Sequence, residues 1–224
     1  MTAETGVTGI RIVEFALESG AVCLAERRDV SEARAMCVLL HDKHTDLDRM
    51  RQFAEPLERY AITPLLLDLP GHGLSTGDAD GDSRAAIESA LVYGQRELEP
   101  VTVIAEGHTA DILLRCQPLG AIAAYVLVSP RSDLTDEEFS QTGWSQIPSL
   151  TILDPHDGEA DRVTEMVSRR TRAATGRVFA HKTAVLMSGR PSWPMQAGQS
   201  AAGFLAEYTA FWRQGQSPSR KESV

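Results

Sequence analysis

Short apolar runs rich in β-branched residues alternate with longer stretches of helical period along almost the whole chain, and this alternation is its strongest constraint on fold. Strands separated by helix-length segments pair in parallel, because each crossover carries the chain back to the start of the next strand. The expected class is α/β, with about eight mostly parallel strands and helices on both faces. Ala35 to Leu40, Val101 to Ala105 and Ala123 to Val128 are continuous apolar runs, as strands covered on both faces require. Pro64 to Leu69, Leu150 to Leu153 and Thr183 to Met187 are further strands. Ile10 to Leu17 and Ala21 to Arg27, joined at Ser19-Gly20, read as an antiparallel hairpin at one edge. Between them, Leu47, Met50, Phe53, Ala54 and Leu57 share one helical face behind Thr45 as N-cap. Ser83 to Leu98, Thr109 to Cys116 and Glu159 to about Arg172 also follow helical spacing. Phe204, Leu205, Tyr208, Phe211 and Trp212 give a closing helix with an aromatic face for the sheet.

At 224 residues the chain suits one domain. We expect that domain over residues 10–214, a flexible start over 1–9 and a disordered tail over 215–224. Thirty-one acidic against 22 basic residues give a net charge of -9 with no basic run, so nucleic acid and anionic membranes are not expected partners. No apolar stretch approaches the roughly 20 residues that span a bilayer, and the polar start lacks a signal-peptide pattern, so a cytoplasmic location is expected. Cys23, Cys37 and Cys116 lie in apolar runs without metal spacing and read as buried free thiols. No metal or cofactor is expected; the expected partners are a small-molecule ligand or a protein, with a homo-oligomer as a further option.

In parallel sheets ligands bind beyond the carboxyl ends of the strands. There stand His41-Asp42, then Asp68-Leu69-Pro70-Gly71-His72-Gly73-Leu74-Ser75, then Glu106-Gly107-His108-Thr109-Ala110-Asp111. Together these resemble the α/β-hydrolase superfamily, and the Asp-Leu-Pro-Gly-His-Gly-Leu-Ser stretch resembles its monoacylglycerol-lipase and esterase branch. The resemblance runs from Ile10 to Trp212. It implies a nucleophile on a strained strand-to-helix turn, followed in chain order by an acid and a histidine.

Carried over residue by residue, the resemblance places Thr109 where the family has its nucleophilic serine, and Asp157 at the acid. Asp111 stands where a glycine is usual. The segment that should hold the histidine reads Met187-Ser188-Gly189-Arg190-Pro191, and no histidine follows His181, which would lie at the wrong end of its strand. A hydroxyl without a base stays protonated, so an ordinary Ser-His-Asp mechanism is not expected. His156, beside Asp157, is the alternative base. Asp42, Lys43 and His44 form the loop that would supply an oxyanion amide. With His108, Ala110, Arg190 and Trp193 they are the candidate substrate-binding residues. Arg190 is the candidate to pair with Asp157 where the imidazole is missing.

Arg131 to Ile147 is only seventeen residues where the family usually inserts a lid, so an uncapped site is expected, with Phe139, Trp144 and Trp193 as its apolar rim. The leading expectation is a catalytically degenerate member that acts by binding. The alternatives are a lyase- or cyclase-type enzyme using the same pocket, and a weak esterase or thioesterase working through Thr109.

Overall fold

The structure, a computed structural model, describes residues 7–118, 120–131, 134–153, 181–185 and 193–215, with backbone alone at 136, 181–185, 193 and 194. Its centre is one eight-stranded sheet. The strands are β1 (Val7–Ala16), β2 (Val22–Val30), β3 (Ala35–Leu40), β4 (Ile62–Leu67), β5 (Val101–Glu106), β6 (Ile122–Val128), β7 (Ser149–Leu153) and β8 (His181–Val185). They lie in the order β1-β2-β4-β3-β5-β6-β7-β8. β2 runs antiparallel to both β1 and β4, and every other pairing is parallel.

The strands are apolar because helices cover both faces. Met36, Val38 and Leu40 join one buried cluster with Ile87, Leu91, Leu113 and Leu114. Ala35, Cys37 and Leu39 join the opposite cluster with Met50, Phe53, Leu57 and Leu205. The first face is covered by α2 (Ala79–Glu97) and α3 (Thr109–Arg115), the second by α1 (Leu47–Arg59) and α5 (Trp193–Arg213). A period of two along β3 thus feeds two cores. At 25 cal/mol per Å² of apolar area removed from water, each of these fully buried aliphatic side chains stabilises the fold by roughly 1.5–3 kcal/mol.

Several expected boundaries move, each for a local reason. α1 is capped by Asp46, which accepts the Asp48 amide, whereas the Thr45 hydroxyl donates backward to the Asp42 carbonyl. α2 starts four residues before Ser83 because Asp78 takes the Gly81 amide. The opening strand begins at Val7, so residues 7–9 belong to the sheet rather than to a loose start. Gly20 turns the hairpin at φ +87.

Trp144 and Phe139 do not rim a site. Trp144 is fully buried, its indole N–H donates to the Cys116 carbonyl at 2.8 Å and its ring meets Tyr125 edge-on; Phe139 joins the same core. α4 (Asp136–Gln141), held by a Thr135–Glu138 capping box, and the 3-10 turn Gly143–Gln146 bring both aromatics inward. On the closing helix Phe204, Leu205 and Tyr208 are buried, while Trp212 is 38% exposed. The expected helix Glu159 to Arg172 lies outside the described residues. Among the described residues no helix is long and apolar enough to cross a membrane.

Candidate functional site at the strand switch point

The crossover from β3 leads to β4 on one side, and the chain then returns to place β5 on the other side of β3. Neighbouring strands whose connections leave in opposite directions open a crevice at their carboxyl ends. Leu40 pairs with Ala105 in this register, so His41 and Asp42 after β3 face Glu106, Gly107 and His108 after β5.

The strained residue of the strand-to-helix turn is Gly107, at φ +60. His108 follows in ordinary helical geometry and Thr109 opens α3. The bend thus centres on a residue with no side chain, two places before Thr109. A Cβ built on Gly107 would collide with the Asp42 carboxylate. Asp42 therefore fills the space into which an elbow side chain would project.

Thr109 is fully buried, and its hydroxyl donates to the His41 carbonyl at 2.7 Å. It faces the sheet rather than a ligand. Ala110 is buried against the core on the same helix. Asp111 turns to Arg115, one turn on, at 2.8 Å, so its charge is engaged along the helix surface. Behind the turn, Glu106 is buried and its Oε1 takes two guanidinium N–H groups of Arg49.

Asp42 Oδ1 accepts the His108 amide at 2.8 Å and lies 3.2 Å from His108 Nδ1. Burial alone would raise its carboxyl above the ordinary carboxylate value, but the amides of His108 and Lys43 and the His108 ring outweigh burial and hold it below that value. The His108 amide, directly after the turn, is one of the donors that would cradle an oxyanion in an acyl-transfer site. Here it is taken by the protein's own carboxylate.

The four histidines of this face divide by function. His41 is fully buried; the Leu69 amide donates to its Nε2, so Nδ1–H donates to the Asp42 carbonyl. His72 sets Nδ1 2.9 Å from the Pro70 carbonyl and Nε2 2.6 Å from the Lys43 carbonyl, tying two loops together. Both are structural. His44 is exposed and stands edge-on to the His108 ring at 5.8 Å. Lys43 is exposed on the same loop. Asp157, His156 and Arg190 lie outside the described residues, as does the side chain of Trp193. Among the described residues no cluster of His, Cys, Asp and Glu could hold a metal ion.

No family model and no curated protein matches the sequence. Solved structures do match in shape. An esterase from Pyrococcus furiosus superposes with a TM-score of 0.71 at 16% identity, over 90% of this chain and 91% of its own. A dienelactone hydrolase from Anabaena variabilis gives 0.69 at 15% identity, over 89% and 98%. A haloalkane dehalogenase from Bradyrhizobium elkanii gives 0.66 at 12% identity, over 92% and 100%. Sheet order, the glycine at the strained turn and these superpositions lead to one conclusion: the chain has the α/β-hydrolase fold.

Proposed function

We propose that the chain is a catalytically degenerate α/β-hydrolase-fold protein, acting in the cytoplasm by binding a small molecule or a protein partner at the switch point and not by ester hydrolysis. One observation carries this reading. The Asp42 carboxylate occupies the space of an elbow side chain and already accepts the His108 amide, so neither a nucleophile nor an oxyanion has a place there. The buried, bonded Thr109 hydroxyl argues against a weak esterase built on that residue. The absence of any histidine after His181 points the same way.

The test is labelling with a fluorophosphonate, which phosphonylates an activated serine or threonine hydroxyl, beside an active serine esterase as control. No labelling of this chain is expected. Stoichiometric labelling that disappears in Thr109→Ala would overturn the proposal.

A further inference from the structure

We infer that Asp42 and His108 form an oriented carboxylate–imidazole pair in which His108 takes a proton from a small carbon acid bound at the switch point. This specifies a chemistry for the site proposed above and shares with that reading only the location of the ligand. A carboxylate can only accept, so at 3.2 Å from Asp42 Oδ1 the His108 Nδ1 carries the proton. The lone pair then sits on Nε2, and among the described residues no hydrogen bond reaches that atom.

The pair is also placed for access. The His108 side chain is 34% exposed and that of Asp42 17%, so the carboxylate is sheltered while the ring meets solvent. The other histidines of this face do not offer the same arrangement, since His41 and His72 use both ring nitrogens on backbone groups and, among the described residues, no carboxylate is bonded to His44. The charged and titratable groups on the described elements around the pair are Lys43 and His44 on the β3 loop, Glu106 with Arg49 behind the turn, and Asp111 with Arg115 on α3. A base held by an acceptor on its far nitrogen is the geometry that general-base catalysis uses, and it needs no covalent nucleophile.

The substrate class is a small molecule whose C–H bond is acidified by a neighbouring carbonyl or heteroatom. The C–H bond breaks, the proton passes to His108 Nε2, and the electron pair moves to the carbonyl oxygen or expels a leaving group. Return of the proton from the imidazolium to another carbon, or to the departing group, completes an isomerisation or an elimination without any co-reactant. His108 is the catalytic residue and Asp42 a positioning residue.

The probe is 5-nitrobenzisoxazole. A base removes the C–H proton of its isoxazole ring, the N–O bond breaks and a coloured cyanonitrophenolate forms. The wild-type chain is expected to exceed an equal concentration of free imidazole by about a hundredfold, the lower range for a positioned base. His108→Ala should lose that excess, and added imidazole should restore rate in proportion to its concentration, which a purely structural role would not produce. If His108→Ala fails to fold by circular dichroism, His108→Gln serves in its place. Asp42→Asn replaces the charged acceptor on Nδ1 with a neutral one and should lower the rate about tenfold while leaving the His108→Ala rate unaffected when the two are combined. A wild-type rate no greater than that of free imidazole, or a His108→Ala rate equal to wild type, overturns the inference. Fluorophosphonate labelling is blind to this pair, so the two proposals fail separately.

Discussion

The Thr109 hydroxyl donates its one proton to the carbonyl of His41, 2.7 Å away, across the seam between the β5 turn and the end of β3. The bond joins the two loops of the switch point inside the core. Removing the donor leaves a buried carbonyl oxygen without that partner, so Thr109→Val should destabilise the chain by about 1–2 kcal/mol in urea denaturation. Hydrolysis of short p-nitrophenyl esters should be near background in wild type and unchanged in Thr109→Ala. A hundredfold loss in that variant would return the hydroxyl to a catalytic role.

Installing a serine at the strained turn should fail as a repair. Gly107→Ser places a side chain at φ +60 and against the Asp42 carboxylate, and should cost about 2–4 kcal/mol. Combining it with Asp42→Gly removes the collision but not the backbone strain. The double variant should therefore be more stable than the sum of the two single changes predicts. Strict additivity in a double-mutant cycle would show that the two residues do not compete for one space.

Asp42 also sets a direction for acid stability. Its folded carboxyl lies below the ordinary value despite burial, because amides of His108 and Lys43 and the His108 ring favour the charged form. A depressed folded value adds stability above the unfolded value near ~3.9, and that stability is lost as pH falls through the folded value. Wild type should exceed Asp42→Asn by about 1–2 kcal/mol at neutral pH, and the gap should close toward pH ~3. A gap that stays constant across this range would contradict the assignment.

The three thiols should be silent in the native protein. Burial is the leading cause that pushes Cys23 up to about 11 and Cys37 and Cys116 up to about 12, and none is exposed. Because thiolate is the reactive form, a disulfide reagent at pH ~8 should titrate no thiol before unfolding and three after it. Fast native reaction at any one would place that side chain at the surface.

Much of the fold was legible, and what was not has physical causes. β3 matches its expected bounds of Ala35–Leu40 because a strand covered on both faces has no polar position to blur the run. α2 was misplaced at its start because Ala79 to Asp82 carries little apolar period, and the cap alone decides where such a helix begins. Trp144 was read as a rim residue because its loop position says nothing of burial, whereas a hydrogen bond to Cys116 draws the indole inward. At the site, the Gly-His-Thr string suggested that the turn centres on Thr109, but backbone strain settles on Gly107, which alone there lacks a Cβ. One signal was present. The aspartate at 42 and the glycine at 107 are complementary across the same gap. Pairing β3 with β5 by their apolar lengths would have brought them together.

The carboxylate that holds the His108 amide is tethered to the backbone only two residues beyond β3. A free anion that sought that amide would compete with a group whose effective concentration is millimolar or more, as for short intramolecular links. Dilute carboxylates or phosphates should therefore be excluded from this corner of the crevice. Whatever ligand approaches it will present a hydrogen-bond donor, a neutral edge or a cation toward Asp42.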